Sequence, residues 1–270
     1  MNEQQFLKAY TQEDYDRPSI ATDIAAFSLR TVKSEAYRAS PELKLCVLLI
    51  RRGEHPFRDH WALPGGFLRR TETIEECAFR ELKEETNLEP VSMLWVDTFS
   101  QPDRDPRGWI ISHAYASVIA EEDARIVGGS DAADARWFEV CFREEAGDLW
   151  QLELRDGEQV LTARLRSARS AAGKTRFTIL ENEGLAFDHA AILAGAMDTL
   201  RREGGNMDTV FAFLPEKFTL FALQKVQETL LGISLLTANF RRKIADLVEE
   251  TEEFTEKAGH RPARLFRKKG

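Results

Sequence analysis

Three cysteines in 270 residues, Cys46, Cys77 and Cys141, are too few and too far apart for a disulfide framework, and none forms a Cys-x-x-Cys metal pair. Long apolar runs are missing as well. The longest, Leu45-Cys46-Val47-Leu48-Leu49-Ile50, is six residues, against the roughly 20 needed to span a bilayer. The opening MNEQQFLKAY has no basic flank leading into an apolar stretch, which argues against a secretory signal. No internal repeat or low-complexity tract occurs. These absences leave a soluble, cytoplasmic protein with no membrane partner as the expectation. What is present is globular: 43% hydrophobic and 30% charged residues, in a chain long enough for one large domain or two ordinary ones.

The formal net charge of −8 is unevenly spread. Residues 210–270 hold 11 Lys/Arg against 8 Asp/Glu, a net of +3, so the preceding 209 residues carry −11. A mildly basic piece on an acidic body hints at two functions.

Along the chain, residues 1–18 read as a polar leading segment and residues 19–32 as a strand. The continuous apolar run at 44–51 has the length of a buried strand. A Pro64-Gly65-Gly66 corner precedes a helix that opens with a capping box, Thr73 with Glu76 three residues on, and ends near Asn87. Residues 94–99 and 109–120 read as strands around a turn-rich segment at 101–108, and 125–140 continue in the same style. The pattern predicts an α/β or α+β sandwich over 1–147, with its core at about 18–147. Residues 148–182 read as an inserted β-meander with a turn at Asp156-Gly157. A connector helix at 183–205 follows, and the last segment, 206–270, holds two helices and a hairpin. Of those helices, one covers 219–231 and the other begins with Thr237 as its N-cap.

The chemistry concentrates between Gly66 and Leu88. Glu81, Glu84 and Glu85 stand at i, i+3 and i+4, so three carboxylates share one helix face. Like charges at that spacing repel, and a hard divalent cation with oxygen ligands would offset the repulsion. Glu72 is placed to pair with Arg80 and lock the preceding loop onto the helix, and Gly65 and Gly66 give that loop the freedom to approach. An isolated Glu-x-x-Glu-Glu is usually a solvated acidic face, but this one follows a Gly-Gly corner and a Glu at fixed distances.

The set Gly66, Glu72, Arg80, Glu81, Leu82, Glu84, Glu85 and Leu88 resembles the Nudix box, G-x5-E-x7-R-E-U-x-E-E-x-G-U with U apolar. Asn87 replaces its second glycine, for which altered loop geometry rather than lost metal binding is expected. The resemblance implies an α/β/α sandwich and Mg²⁺- or Mn²⁺-dependent attack of water on a nucleoside diphosphate derivative. It also implies that Glu81, Glu84 and Glu85 hold the metal, with one of them a candidate general base. Residues 18–23, 61–67 and 104–108 look like the subgroup that handles ADP-ribose, with Gly65, Gly66 and Arg104 or Arg107 at the substrate; residues 104–108 also read as an ordinary surface turn. Arg51-Arg52 reads as a phosphate contact or, better, a solvated strand end, and Phe57, Trp61 and Trp109 as rings for a base or, more often, as core.

Residues 185–189, 218–220, 239–243 and 259–266 resemble the Nudix-related transcriptional regulators of NAD and sugar metabolism, which join a Nudix domain to a winged helix-turn-helix. That resemblance implies that Arg241, Arg242 and Lys243 meet operator DNA from a helix, with Arg261, Arg264, Arg267, Lys268 and Lys269 in the wing; a single winged helix offers few contacts, so a homodimer is expected. Glu249, Glu250, Glu252, Glu253 and Glu256 in the first wing strand oppose DNA binding wherever they face it. Two functions follow: an ADP-ribose pyrophosphatase, or a regulator that senses an ADP-ribose-type ligand.

Overall fold

The structure, a computed structural model, describes residues 2–10, 16–32, 42–120, 124, 134–171, 173–255 and 262–270. In chain order they form α1 (Glu3–Ala9), β1 (Ser19–Val32), β2 (Glu42–Arg51), β3 (Trp61–Ala62), β4 (Gly65–Phe67), α2 (Ile74–Thr86), β5 (Ser92–Phe99), β6 (Ile110–Val118) and β7 (Ala135–Ala146). The series continues with β8 (Leu149–Asp156), β9 (Gln159–Arg169), β10 (Thr175–Glu183), α3 (His189–Glu203), α4 (Met207–Ala212), α5 (Leu220–Leu231), α6 (Thr237–Ile244), β11 (Val248–Phe254) and β12 (Arg264–Lys268).

Alternation along β1 and β2 builds a three-layer sandwich, because successive strand side chains point to opposite faces. Ile24, Ala26, Cys46 and Leu48 face α2, where they meet Ala78 and Leu82. Ala25, Phe27, Leu29, Leu45, Val47 and Leu49 face the other way, into the cluster that holds α3. The sheet runs β10-β9-β8-β7-β2-β1-β6-β5, with β1 and β6 its parallel pair, one strand in from the β5 edge. The residues of the meander are thus hydrogen-bonded onto β7 and prolong this sheet, and Leu152, Leu154, Leu165 and Phe177 join the core beneath α3.

Two caps place α2. Thr73 Oγ1 accepts from the Glu76 N–H at 3.2 Å, and the Glu76 carboxylate accepts from the Thr73 N–H at 2.7 Å. At the far end Asn87 takes φ 57°, ψ 24°, the left-handed conformation in which a glycine would end the helix. The loop geometry is therefore that of a glycine cap.

The C-terminal module is α4, α5, α6 and the β11–β12 hairpin. Thr219 caps α5 and Gly232 ends it at φ 68°. The turn into α6 is pinned by Glu228, whose Oε1 accepts from the Leu235 N–H and from Gln224 Nε2, both at 2.9 Å. Helix α6 begins at Thr237, but Leu236 occupies the N-cap position and no side chain caps it, so Thr237 is not the cap. Phe240 and Ile244 bury the inner face of α6 against Leu223, Val226 and Leu230. Helices α1 and α4 are one to two turns long, too short to show a helical repeat in sequence. Residues 125–133, expected to lead into β7, lie outside the described residues, as do Glu256 and Arg261. Among the described residues no helix is long and apolar enough to cross a membrane.

Candidate ligand site and nucleic-acid interface

The Gly65–Gly66 corner is dictated by what lies beside it. A Cβ on Gly65 would stand 2.1 Å from the Thr22 carbonyl oxygen, and one on Gly66 would stand 2.4 Å from the Glu81 carboxylate. Glycine here lets the loop close over α2, and the Gly65 N–H donates to Glu85 Oε2 at 2.9 Å.

Arg80 organises the carboxylates. It forks onto Glu72 through Nε at 2.8 Å and Nη2 at 2.7 Å, and its Nη1 donates to Glu81 at 2.6 Å and Glu84 at 3.1 Å. Nη2 also donates to the Phe67 carbonyl at 3.2 Å, tying the loop to the helix. Arg80 holds the Glu72 carboxyl down at about 2. Glu84 is shared with Arg69 at 3.3 Å. Glu85 behaves differently: burial pushes it up to about 8, repulsion from Glu81 and Asp23 adds to this, and the Gly65 N–H and Arg52 oppose it. Among the described residues no three His, Cys, Asp or Glu side chains are set to hold a metal ion together. The donor chemistry of Glu81, Glu84 and Glu85 nevertheless suits a hard divalent cation, because all three offer oxygen and Glu85 lies where a nearby positive charge favours its ionised form.

Opposite Glu85, a cavity of about 170 Å³ is walled by Arg52, Arg107, Phe67, Phe187 and His189. The Arg107 guanidinium lies 5.2 Å from the Phe67 ring centre and 5.3 Å from that of Phe187; Arg52 lies 4.8 Å from Phe187. Phe187 is itself held in a left-handed backbone, φ 50°, against Phe57 at 4.7 Å. Arg107 is balanced by Asp105 at 2.7 Å. Arg52 donates to the Pro56 carbonyl at 2.9 Å, and burial followed by repulsion from Arg107 lowers its proton affinity. Two neighbouring guanidiniums on apolar rings make a wall suited to an anion. Arg52 is thus part of the pocket rather than a solvated strand end.

Arg104 is placed otherwise. Its side chain is 4% exposed and is engaged by Asp188 at 2.6 Å and Asp23 at 3.3 Å. Ser112 Oγ donates to the same Asp23 at 2.5 Å. His189 Nδ1 accepts from the Leu63 N–H at 2.9 Å, which leaves Nε2 to carry the proton beside Asp23 at 3.4 Å; burial lowers the His189 pKa, so the ring stays neutral. Sequence reasoning did not assign Arg52, Phe187, Asp188 or His189 to the site. The signal lay in segment 185–189, whose partners are distant in sequence. Trp61 packs on Phe138 at 4.8 Å in the core, whereas Trp109 is 49% exposed.

In the C-terminal module Arg241, Arg242 and Lys243 are all exposed on the outer face of α6. Arg242 donates to Asn239 at 2.8 Å, while Arg241 and Lys243 make no hydrogen bond or ion pair with described residues. The wing differs. Arg264 pairs with Glu250, Arg267 with Glu249, and Lys217 with Glu253 at 2.6 Å. These contacts neutralise three of the acidic side chains that oppose DNA, and they occupy Arg264 and Arg267.

A three-layer sandwich with a glutamate-bearing helix under a glycine corner, followed by a three-helix module with a two-stranded wing, is a Nudix domain carrying a winged helix. The NUDIX domain family matches residues 36–162 and the NrtR DNA-binding winged helix domain family matches residues 210–267. The chain is homologous to the NrtR regulators that combine these two domains. It is 28% identical, over 98% of its length and 88% of the relative's, to the ADPR responsive transcriptional repressor NtrR of Acinetobacter baylyi. A solved structure of Shewanella oneidensis NrtR complexed with a 27mer DNA superposes with TM-score 0.64 at 26% identity, covering 93% of each chain. Over 95 residues the chain is 44% identical to the ADP-ribose pyrophosphatase of Methanocaldococcus jannaschii, covering 35% of this chain and 54% of that protein.

Proposed function

We propose that this chain is a cytoplasmic, homodimeric DNA-binding regulator whose Nudix half binds ADP-ribose or a related nucleoside diphosphate derivative. The observation that carries the reading is the pair of cations without partners among the described residues, Arg241 and Lys243, on the exposed face of α6. They project from a winged helix that α3 joins to a pocket walled by two guanidiniums. The whole-length likeness to an ADPR responsive repressor supports the same reading. Arg52 and Arg107 face the ligand's diphosphate, Phe67 and Phe187 hold those guanidiniums in plane, and Arg104 sets the 101–108 turn. Glu81, Glu84 and Glu85 are the residues that would hold Mg²⁺ or Mn²⁺, which when bound neutralises diphosphate charge and acidifies water. In a retention assay, duplex DNA from the upstream region of the chain's own gene should be held at low salt and released by ADP-ribose. Equal retention of unrelated DNA, or no effect of ADP-ribose, refutes the reading.

The complete carboxylate set and the likeness to an ADP-ribose pyrophosphatase favour a second activity in the same pocket. Water adds to one phosphorus of the diphosphate and the bridging P–O bond breaks, giving AMP and ribose 5-phosphate. Arg80 holds Glu81 and Glu84 on the reacting side, and one of the three glutamates takes the proton from water. Glu84→Gln then abolishes metal-dependent hydrolysis while the fold survives; wild-type turnover in that variant excludes this role.

A further inference from the structure

Helix α3 reaches from the ligand pocket to the winged helix, a span of about 22 Å for its 15 residues. At its C-terminal end the Gly204 carbonyl accepts from Gln227 Nε2 of α5 at 3.1 Å. A Cβ on Gly204 would stand 3.1 Å from both Leu230 and Leu231, so the two helices meet with no slack.

At its N-terminal end α3 lacks a side-chain cap, as α6 does, although unlike α6 it has a capping residue in place. Thr73, Asn206 and Thr219 each turn a side-chain oxygen onto the first-turn amides of α2, α4 and α5. Asp188 stands in the same position before α3 and is as good a capping residue, yet no side chain caps that helix. Both Asp188 oxygens are turned to the 101–108 turn instead, where they accept from Arg104 Nε at 2.9 Å and Nη2 at 2.6 Å. Arg104 in turn borders two spaces, the pocket of about 170 Å³ beside Glu85 and a cavity of about 570 Å³ between β5, β10 and α3 that Asp188 also lines.

We infer that Asp188 is a relay with two partners, Arg104 or the first turn of its own helix, and that an anionic ligand selects between them. A phosphate drawn toward Arg104 competes with Asp188 for the same guanidinium. The displaced carboxylate stands at the N-cap position of α3, and there it caps the first turn, taking over from the Asp188 carbonyl that now accepts from the Ala191 N–H at 2.9 Å. The fork gives up two charged hydrogen bonds and the cap returns one, so the ligand's own contact with Arg104 makes up the difference. Tightening the first turn stiffens a helix whose other end is seated on α5, and the winged helix receives the change. This deepens the sensor reading and rests on it.

The test uses the full chain, its Asp188→Asn and Asp188→Ala variants, and ADP-ribose as the probe. Binding is measured by calorimetry, and amide hydrogen exchange is followed at residues 189–193 and 220–231. Asparagine caps a helix as well as aspartate but cannot hold Arg104 as an ion pair, and Arg104 keeps Asp23. In the wild type, saturating ADP-ribose slows exchange in the first turn of α3 about fivefold and alters exchange in α5. The Asn variant shows slow exchange with or without ADP-ribose. The Ala variant stays fast in both conditions. Unchanged exchange at 189–193 in ADP-ribose-saturated wild type overturns the relay, and so does an Asn variant that exchanges at the wild-type rate without ligand. If calorimetry shows no binding to the wild type, the sensor reading fails. The ligand-free comparison of Asn variant and wild type then still decides the relay, slower exchange in the variant supporting it and equal exchange overturning it.

Discussion

The ion pairs around Arg104 and those of the wing use the same residue types under opposite conditions. Arg104, Asp23 and Asp188 are between 4% and 19% exposed at their side chains, whereas Arg264 and Glu250 are 46% and 61% exposed. In the first group each charge has been stripped of water and depends on its partner, so the network fixes geometry. In the second, water and salt compete continually and a pair is easily exchanged for another. A phosphate can therefore replace Glu250 at Arg264 with little penalty. The wing's acidic strand tempers its own cations, while Arg241 and Lys243 of α6 stand exposed with no such partner among the described residues.

The difference is broken most severely at Arg104. Arg104→Met leaves Asp23 and Asp188 buried without their counter-charge, and urea unfolding should show a loss of about 3–5 kcal/mol; Arg264→Met should leave the unfolding midpoint unchanged within scatter. A smaller effect appears on DNA. Arg241→Ala and Lys243→Ala should each reduce the slope of log affinity against log salt by about 0.9 for every phosphate that the missing cation would have neutralised. Arg264→Ala should change it less, since Glu250 already screens that charge. Titration of affinity at several salt concentrations separates the two. The smallest effect concerns Glu228, intermediate between the groups. Lys225, the Leu235 N–H and Gln224 together hold its carboxyl at about 2 instead of 4.5. A depressed carboxyl stabilises the folded form above the unfolded value and loses that contribution as pH falls from 4.5 to about 2. The melting temperature of the wild type should therefore fall more steeply with acid over that interval than that of Glu228→Gln.

Much of the frame was legible in the sequence because its signals are local. The capping box at Thr73, the strand at 19–32 and the apolar run at 44–51 each depend on residues within a few positions of one another. The Glu72–Arg80 pair was legible from spacing on a loop and helix. The pocket's other wall was not. Arg52 meets Phe187 across 135 positions of sequence, and Arg104, expected at the substrate, meets Asp188 across 84, so neither partner is marked near the residue it meets. The conflict posed by the acidic wing strand likewise needed the strand register, which sets Glu249 opposite Arg267.

The continuity of β7 with β8, β9 and β10 has a bearing on where this chain can be divided. Residues 139–146 of β7 take their outer hydrogen bonds from β8, and α3 packs on β10. A fragment ending at residue 147 would present β7 as a long bare edge, open to pairing with other chains, and would leave the odd-numbered face of β1 uncovered. The meander therefore serves as the sheet's protective border, and the smallest piece that keeps both faces of the Nudix sheet covered extends through α3, the helix on which the winged helix is seated.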